Sequence, residues 1–438
     1  MMRTKNERAA GMRAMVAGFL AALAVVGLML AATGPAHAAA TFTVTNTNDS
    51  GTGSLRQAIL NANAATGADA INFNIPGAGA KTISPASELP TITDAVTVDG
   101  YSQPGSSPNT RDVGSSDAVP LVELSGASAP ADSIGLRIDA SGSAVRGLVI
   151  NRWESRGVDV RGSGNAVFGN FVGTDASGTL DRGNDSFGGV IVNGDSNTVG
   201  GTSPAARNVI SGNEGEGINI NSGAGHKVQG NLIGTKKNGT GALGNAGVGV
   251  FVHDAQDNLI GSPGGITARF AANTIAFNGG DGVQIKAIFA NVATAGNRVL
   301  FNSIFSNAGQ GIDLVGGTEN AAGATANDPG DADEGPNDLQ NRPVVTSAKT
   351  AGGTTTIQAK LNSTPSDPFV VEFYSSPSGN EGKKLVASKA VSTDPSGNVA
   401  FSVVPSEAVA AGQRITATAT NVVDANTSEF SAPRTVVQ

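Results

Sequence analysis

The amino-acid sequence predicts an all-β protein: a right-handed parallel β-helix with an N-terminal helical cap, followed by a small Ig-like β-sandwich. Three observations lead to this fold class. One stretch of the chain recurs after about 61 residues, apolar residues alternate in short pieces bounded by Gly or Asn, and longer alternating strands replace this pattern after residue 341. Alternation with a period of two residues is a strand signal and not a helix signal.

The recurring stretch is the strongest of these signals. Residues 165–174 read NAVFGNFVGT, and residues 226–235 read HKVQGNLIGT. A fixed period of this length is typical of solenoids, in which one repeat cannot bury its apolar side and stacked repeats share a continuous core. We expect each 61-residue unit to contain more than one rung, and Val167 and Val228 to lie inside the stack on aligned strands.

Short pieces of the form Gly-Val-x-Val supply the predicted strands, as in residues 157–160 (GVDV), 189–192 (GVIV) and 217–220 (GINI). Gly and Asn tolerate left-handed backbone angles, so their positions at the ends of these pieces mark bends. Parallel strands joined in this way nearly always cross over in the right-handed sense. The pattern therefore predicts a right-handed parallel β-helix.

Asparagines at equivalent corners are predicted to stack and to hydrogen-bond along the axis of the helix, because an amide both donates and accepts. The candidates are Asn170, Asn213, Asn231, Asn278 and Asn302. Residues 173–183 and their copy 234–244 are expected to form loops that project from one edge. Insertions of this kind often mark the binding face of a solenoid.

Composition limits the possible functions. The 438 residues include no Cys, so an exported chain would have no disulfides and would depend on stacking for its stability. The formal net charge is -8, and we find no basic patch, so nucleic-acid binding is not expected. The 60 glycines and the 4% of aromatic residues suit tight corners around a thin aliphatic core.

Residues 1–38 have the signature of a secretory signal peptide. A basic leader that includes Arg3 and Arg13 precedes an apolar run over residues 15–32, and residues 36–38 (AHA) form a small-x-small cleavage site. The alternative is an uncleaved membrane anchor, since the apolar run is long. We predict a secreted or cell-surface bacterial protein with no transmembrane domain after removal of the signal.

Residues 39–75 are predicted to cap the start of the solenoid. Ser54 and Gln57 have the spacing of a capping box, and Leu55, Ala58 and Ile59 then fall on one face of a helix. Such a helix would cover the open end of the stack, where strands otherwise expose unpaired edges.

The same stretch resembles the CSLREA-type module found at the start of many bacterial secreted β-helix proteins of the pectate-lyase-like superfold. Residues 44–51 (VTNTNDSG) and 54–59 (SLRQAI) carry the resemblance. Gly53 stands where that family usually has Cys, and Gln57 where it has Glu. The resemblance implies an exported or surface protein, and it assigns no catalytic residue.

The remainder divides into three segments. Residues 76–317 are predicted to form the β-helix, with a long surface loop over residues 101–117; residues 318–341 form an acidic linker; and residues 342–438 form the sandwich. The chain end, residues 415–430, resembles Ig-like modules of bacterial surface proteins. That resemblance implies adhesion or spacing, not chemistry.

The acidic linker is the candidate metal site. Carboxylates and amides alternate there, and Gly330 and Gly335 allow the chain to fold back. Oxygen ligands of this kind suit Ca2+, which takes six to eight of them, and a bound ion would stiffen the junction. A solvated acidic linker is the alternative. The predicted ligands are Asp328, Asp331, Asp333, Asn337 and Asp338.

Three positions in the β-helix are weaker candidates for chemistry or binding. Asp159 could belong to a catalytic carboxylate pair, and the neighbours His253 and Asp254 could form a general base. Trp153, with Arg156 beside it, could be an exposed platform for a sugar, or it could pack beneath a loop. The sequence motifs of polygalacturonases and alginate epimerases are absent.

We therefore predict a structural or adhesive protein, a rigid spacer that presents a loop-bearing face to a polysaccharide or to a host or cell surface. The alternative is a polysaccharide lyase or glycoside hydrolase acting in the β-helix groove. An enzyme should gather three or more carboxylate or basic side chains from adjacent rungs into one cleft. A spacer should have asparagine ladders and unclustered polar faces.

Overall fold

Three long parallel sheets dominate the computed structural model, which describes residues 39–185, 187–264, 268–289, 292–319 and 323–438. The chain visits the sheets in turn, so each circuit adds one rung. A separate antiparallel sandwich follows. The predicted fold class is confirmed. The predicted signal peptide, residues 1–38, lies outside the described residues.

The strands of each sheet pair in chain order along the axis. Sheet 1 consists of Thr41–Val44, Asp69–Phe73, Val96–Asp99, Ala144–Arg146, Ala166–Phe168, Thr198–Gly200, Lys227–Gln229, Leu259–Gly261 and Arg298–Leu300. Sheet 2 consists of Lys81–Ile83, Val122–Ser125, Leu148–Asn151, Phe171–Val172, Val209–Ile210, Leu232–Ile233, Thr274–Ala276 and Ser303–Phe305. Sheet 3 consists of Ile134–Ile138, Arg156–Val160, Val190–Val192, Ile218–Ile220, Val250–His253, Val283–Lys286 and Ile312–Val315. A short extra pair joins Gly223–Ala224 to Ala255–Gln256.

The register confirms the predicted stacking of aliphatic side chains. Val167 pairs with Val199, and Val199 pairs with Val228. Each of the three is 1% exposed and belongs to one continuous core. Because the strand that contains Val199 lies between the two copies of the repeated stretch, the 61-residue unit spans two rungs, as expected.

A column of glycines forms one corner of the β-helix beside sheet 3. At Gly249, an added Cβ would lie 2.6 Å from the carbonyl oxygen of Gly282 and 2.6 Å from a methyl carbon of Ile275. No side chain fits in such a space, which explains the Gly at the start of each Gly-Val-x-Val piece. The column contains Gly135, Gly157, Gly189, Gly217, Gly249, Gly282 and Gly311.

Three polar ladders run along the corners, the second of them beside the glycine column, and the predicted asparagine stacking is confirmed. In each ladder, a side-chain acceptor atom binds a donor of the preceding rung. This donor is either the backbone N–H or the side-chain amide. The first ladder contains Asn170, Asn208, Asn231, Asn273 and Asn302. The second contains Asn184, Asn213, Asn245, Asn278 and Asn307. The third contains Asn165, Asn197, His226, Asn258, Asn297 and Asn337.

Helix α1, Leu55–Ala64, covers the start of the stack as predicted. The Ser54 hydroxyl accepts a hydrogen bond from the backbone N–H of Gln57 at 3.2 Å, and Leu55 and Ile59 pack into the core. A second short helix, α2, spans Ala268–Ala271. The turns at Gly100–Ser102, Gly126–Ser128 and Pro204–Ala206 are 3-10 helical, whereas Asn337 and Asp338 in the turn Pro336–Leu339 have left-handed backbone angles, with φ of 50° and 49°. None of the helices among the described residues is long and apolar enough to span a membrane.

The predicted surface loop that begins at Tyr101 lies against the outside of sheet 2, where Ala118 packs on Val149 and Phe171. Arg207, which is 3% exposed, holds this loop by donating to backbone carbonyl oxygens. The acceptors are those of Arg111 at 2.9 Å, Asp112 at 2.8 Å, Ser115 at 2.5 Å and Gly230 at 3.2 Å. The loop is therefore a strap, and we call residues 101–121 the strap.

The sandwich contains a three-stranded and a four-stranded antiparallel sheet. The first consists of Val344–Ala351, Thr354–Asn362 and Asn398–Val403, and the second of Lys384–Ser392, Pro368–Ser376, Arg414–Asn421 and Arg434–Thr435. In the strand Arg414–Asn421, Ile415 and Ala417 face the sandwich core, whereas Thr416 and Thr418 are equally buried on the other face. This second face is covered because it packs on the last rung of the β-helix.

Candidate functional site

Three buried glutamates of the sandwich close the end of the β-helix: Glu372, Glu381 and Glu429. Oε1 of Glu381 accepts the backbone N–H of Asn307 at 3.3 Å and its side-chain amide at 2.9 Å. Burial raises the pKa of Glu381 above its usual value, although the amide and N–H donors of Asn307 oppose this effect. The second ladder thus ends on a carboxyl group from the other domain.

Glu429 binds the last strand of sheet 3 and the following loop together. Its Oε1 accepts the N–H of Leu314 at 3.2 Å, and its Oε2 accepts the N–H of Thr325 at 2.9 Å. Arg342 lies 3.2 Å from the same Oε2. Burial raises the pKa of Glu429 to about 7 despite these donors, because desolvation outweighs them.

Glu372 is the most enclosed of the three, with no exposed surface. Its Oε2 accepts the N–H of Phe301 at 3.1 Å and the hydroxyl of Tyr374 at 2.7 Å. Among the described residues, its Oε1 has no hydrogen-bond partner. Burial raises the pKa of Glu372 to about 7, and it also raises the pKa of Tyr374, so the phenol remains a neutral donor.

The acidic linker forms a carboxylate cluster from three of its five predicted ligands. Asp328, Asp331 and Asp333 each place one carboxylate oxygen within 4.8 Å of the others. Asp331 is buried, and it accepts the N–H of Asn341 at 2.8 Å and the hydroxyl of Ser363 at 2.9 Å. The cluster therefore joins the linker to the chain that follows strand Thr354–Asn362.

The other two predicted ligands face the β-helix. Oδ1 of Asn337 accepts the N–H of Asn297 at 3.0 Å, so Asn337 ends the third ladder. Oδ2 of Asp338 accepts the amide of Asn426 at 2.9 Å. The structure therefore does not bring Asn337 and Asp338 into the carboxylate cluster, because the domain junction uses their side-chain oxygens.

Trp153 does not form a surface platform. Its side chain is fully buried in the β-helix core, and its Nε1 donates to the carbonyl oxygen of Leu124 at 3.2 Å. The prediction of an exposed sugar platform is therefore wrong, because sequence neighbours with charges did not reveal the burial of the ring. The guanidinium of Arg156 lies over the ring of Phe187 at 4.8 Å.

Asp159 occupies the outward row of sheet 3, in register with Ile191. It is completely buried, and its Oδ2 lies 3.5 Å from Arg156 and 3.1 Å from Arg161. Its Oδ1 has no hydrogen-bond partner among the described residues. The two arginines pair with this carboxylate, and none of these contacts supplies the second carboxylate that glycosidic hydrolysis requires.

His253 and Asp254 contact each other, with His253 Nδ1 and Asp254 Oδ2 3.1 Å apart. Oδ1 of Asp254 accepts the N–H groups of Ile288 at 2.9 Å and Phe289 at 3.0 Å. Burial acts to raise the pKa of Asp254, but the N–H of Phe289 and the contact with His253 hold it below its usual value. These contacts make Asp254 the anchor of a loop.

Sequence reasoning missed one carboxylate pair. Asp281 and Asp313 come from adjacent rungs, and the side-chain amide of Gln284 donates to both, at 2.6 and 3.0 Å. They line a cleft of about 490 Å³ together with Glu319 and Asn380. Burial and the neighbouring Asp281 raise the pKa of Asp313 to about 6. Asp281 precedes one Gly-Val-x-Val piece and Asp313 lies inside the next, so their sequence positions are not equivalent and did not indicate that they share a cleft.

No protein-family model matches this chain, and no similar sequence is found among curated proteins. The CSLREA-type and Ig-like similarities therefore remain resemblances of short segments. Function has to be argued from the sites, because a parallel β-helix supports many activities.

Proposed function

We propose that this protein is a secreted or cell-surface rod with a structural and adhesive role. The observation that carries the proposal is the continuity of the three ladders, two of which end in the domain junction, on Asn337 and on Glu381. Buried amide ladders of this kind stiffen a solenoid along its axis, since each rung fixes the backbone of the next. Helix α1 and the sandwich cover the two ends of the β-helix, which suits a rigid rod that does not add further rungs.

The face that carries the projecting loops is the proposed contact surface. The backbone carbonyl of Gly178, in the first projecting loop, accepts the N–H of Lys237 in the second loop at 2.9 Å. The carbonyl of Lys237 in turn accepts the N–H of Ser116 in the strap at 2.7 Å. The two loops and the strap therefore form one continuous edge. Leu180 is exposed on the first loop, and the side chain of Lys237 lies against Gly178 of the same loop. An apolar and a basic side chain on one edge suit an acidic polysaccharide or a cell surface.

Binding to acidic polysaccharides and whole cells tests this proposal. We expect Leu180→Asp to weaken binding about tenfold, because it adds a charge of the wrong sign to the loop edge. Val404→Asp is the matched control, since Val404 is equally exposed but belongs to the sandwich. Equal losses in both variants, or the absence of binding by the unaltered protein, would contradict the proposal.

Glycan cleavage is the second candidate function, and the Asp281–Asp313 pair favours it. The two carboxyl groups share one amide donor, so they supply the carboxyl pair that glycosidic hydrolysis requires. The raised pKa of Asp313 suits a general acid. Assays for reducing sugars and unsaturated products should then show turnover that Asp313→Asn abolishes and Asp159→Asn preserves. Turnover that survives Asp313→Asn would exclude this site.

We propose in addition that the carboxylate cluster of the linker binds calcium. Asp328, Asp331 and Asp333 supply three oxygens from three positions of one loop, and the site is anchored through Ser363. A divalent cation would relieve the repulsion between the carboxylates and hold the linker against the sandwich.

A further inference from the structure

The sandwich takes the place of the next rung of the β-helix. Three of its side chains accept backbone N–H groups near the end of the stack, where a further strand or asparagine would otherwise bind. Glu372 accepts the N–H of the corner between the last strands of sheets 1 and 2, Glu381 accepts donors of the second ladder, and Glu429 accepts an N–H of the last strand of sheet 3. The backbone carbonyl of Gly382 also accepts the N–H of Ile304 at 2.9 Å.

We propose that Glu372, Glu381 and Glu429 form a carboxyl latch that holds the sandwich on the β-helix when they are protonated and loosens when they ionise. When neutral, Glu372 and Glu381 can accept their donors through a single carbonyl oxygen at little electrostatic cost. Both oxygens of Glu429 accept N–H groups, so a proton on Glu429 displaces one of these donors. Three ionised carboxylates in one dry interface instead carry buried charge that must be compensated.

Of the three latch carboxyls, Glu429 is the one whose described contacts include a compensating cation. Glu429 has one cation, Arg342, but Asp313 also acts on it. Other charged groups near the interface are Asp281, which opposes ionisation of Glu381; Lys383, which lies 4.5 Å from the Phe305 ring; and Asp338, which binds Asn426.

Glu372 is the extreme member of the latch. Its carboxyl contacts are the N–H of Phe301 and the hydroxyl of Tyr374, and neither carries a positive charge. Its second oxygen has no partner among the described residues. Negative charge on a buried oxygen without a hydrogen-bond donor is energetically unfavourable, whereas a proton on this oxygen neutralises the group.

The direction of the pH dependence follows from burial. The pKa values of Glu372 and Glu429 are raised from 4.5 to about 7 in the docked state, and exposure of these carboxyls on release would restore ordinary values. The docked state therefore binds more protons between these limits. Docking is strongest below pH 4.5 and weakens as pH rises through about 7. Glu372 and Glu429 each change the docking constant by roughly 300-fold across this range, since one pKa unit is a factor of ten.

Distance measurements between dyes can detect opening of the latch. Because the chain contains no Cys, Ser177→Cys on a β-helix loop and Ala390→Cys on the sandwich provide two unique labels on exposed positions. In the secreted chain we expect energy transfer to change between pH 5 and pH 8.5, because docking weakens over the range in which Glu372 and Glu429 ionise. The double variant Glu372→Gln, Glu429→Gln should remain docked at both pH values, because Gln stays neutral.

Glu407→Gln is the matched control, since Glu407 is an exposed sandwich residue paired with Lys384. It should retain the full pH response. A response that is absent from the unaltered protein, or that persists in the double variant, would overturn the proposal. If the double variant does not fold, carbon-13 NMR of glutamate carboxyls in the unaltered protein decides the matter: all carboxyls titrating below pH 5 would refute the latch.

Discussion

Glu381 accepts hydrogen bonds from Asn307 in the same way that Asn307 accepts them from Asn278. Oδ1 of Asn307 accepts the backbone N–H and the side-chain amide of Asn278 at 3.1 and 2.9 Å, and Oε1 of Glu381 accepts the same two groups of Asn307 at 3.3 and 2.9 Å. The junction between the two domains therefore repeats the geometry of a junction between two rungs. A side chain from a sandwich extends a ladder built by a solenoid.

Replacing a ladder asparagine should destabilise the β-helix strongly. Asn245→Ala removes the acceptor of two donors on Asn213 and leaves the carbonyl of Ile210 without its amide. We expect a loss of about 3 kcal/mol in the free energy of unfolding, measured by urea denaturation with circular dichroism. Asn221→Ala, which removes an exposed amide contact, should cost less than about 1 kcal/mol. Similar losses in both variants would contradict the ladder argument.

The glycine corner should not tolerate a methyl group. Gly249→Ala places Cβ 2.6 Å from backbone and side-chain atoms of the next rung, so we expect a cost of about 3 kcal/mol from displacement of the stack. Gly164→Ala is the comparison, since its Cβ meets nothing within 4 Å and only its φ of +67° opposes the change, at about 1 kcal/mol. Thermal unfolding of both variants measures the difference. The reverse order of stabilities would show that backbone strain, not packing, governs these positions.

Loss of Arg207 should free the strap. Arg207→Met removes four hydrogen bonds to backbone carbonyl oxygens while preserving the apolar stem. We expect thermolysin to cleave near exposed Val113 at least about tenfold faster, because hydrogen bonds to a charged donor contribute about 1.5–3 kcal/mol each. Arg111→Met should change cleavage little, since Arg207 binds only the backbone of Arg111 and the exposed ion pair of the Arg111 side chain with Asp117, at 3.6 Å, contributes little. Unchanged cleavage of the Arg207 variant would mean that apolar packing alone holds the strap.

Trp153 should report on the core and not on a ligand. We expect its emission in the native protein to resist quenching by iodide and to be insensitive to added oligosaccharide, because its ring has no exposed surface. Trp153→Phe should cost about 2 kcal/mol, since it removes a hydrogen bond and some packing. Phe187→Leu, a change at an exposed ring, should cost much less. Quenching of the native protein at the rate of the unfolded chain would contradict this placement.

Calcium should stabilise the linker if the carboxylate cluster binds it. Millimolar Ca2+ should raise the free energy of unfolding by about 1–3 kcal/mol, and chelation should reverse the change. Asp331→Asn should abolish this increment, whereas Asp338→Asn should retain it, because Asp338 lies outside the cluster. Calorimetry without heat at millimolar Ca2+ would remove the site.

Local patterns predicted much of the β-helix, but not its sites. The corner position of Asn170 followed from its equivalence to Asn231 after 61 residues, and the structure placed both in one ladder. Trp153 had no equivalent in the repeat, so its sequence neighbours were the only guide, and they were misleading. The Asp281–Asp313 pair was missed because sequence spacing does not show which outward side chains share a cleft.

The sequence by itself determined that aliphatic residues, glycines and asparagines form a stacked, parallel solenoid. The reason is that strands and corners depend on residue preferences within a few positions, and the same local pattern recurs in each rung. Only the tertiary structure decided that the sandwich closes the stack and that three of its glutamates are buried there. Glu372 and Glu429 meet partners that lie 71 and 115 residues away along the chain. The protonation of a carboxyl group depends on the atoms that surround it, and here those atoms come from both domains.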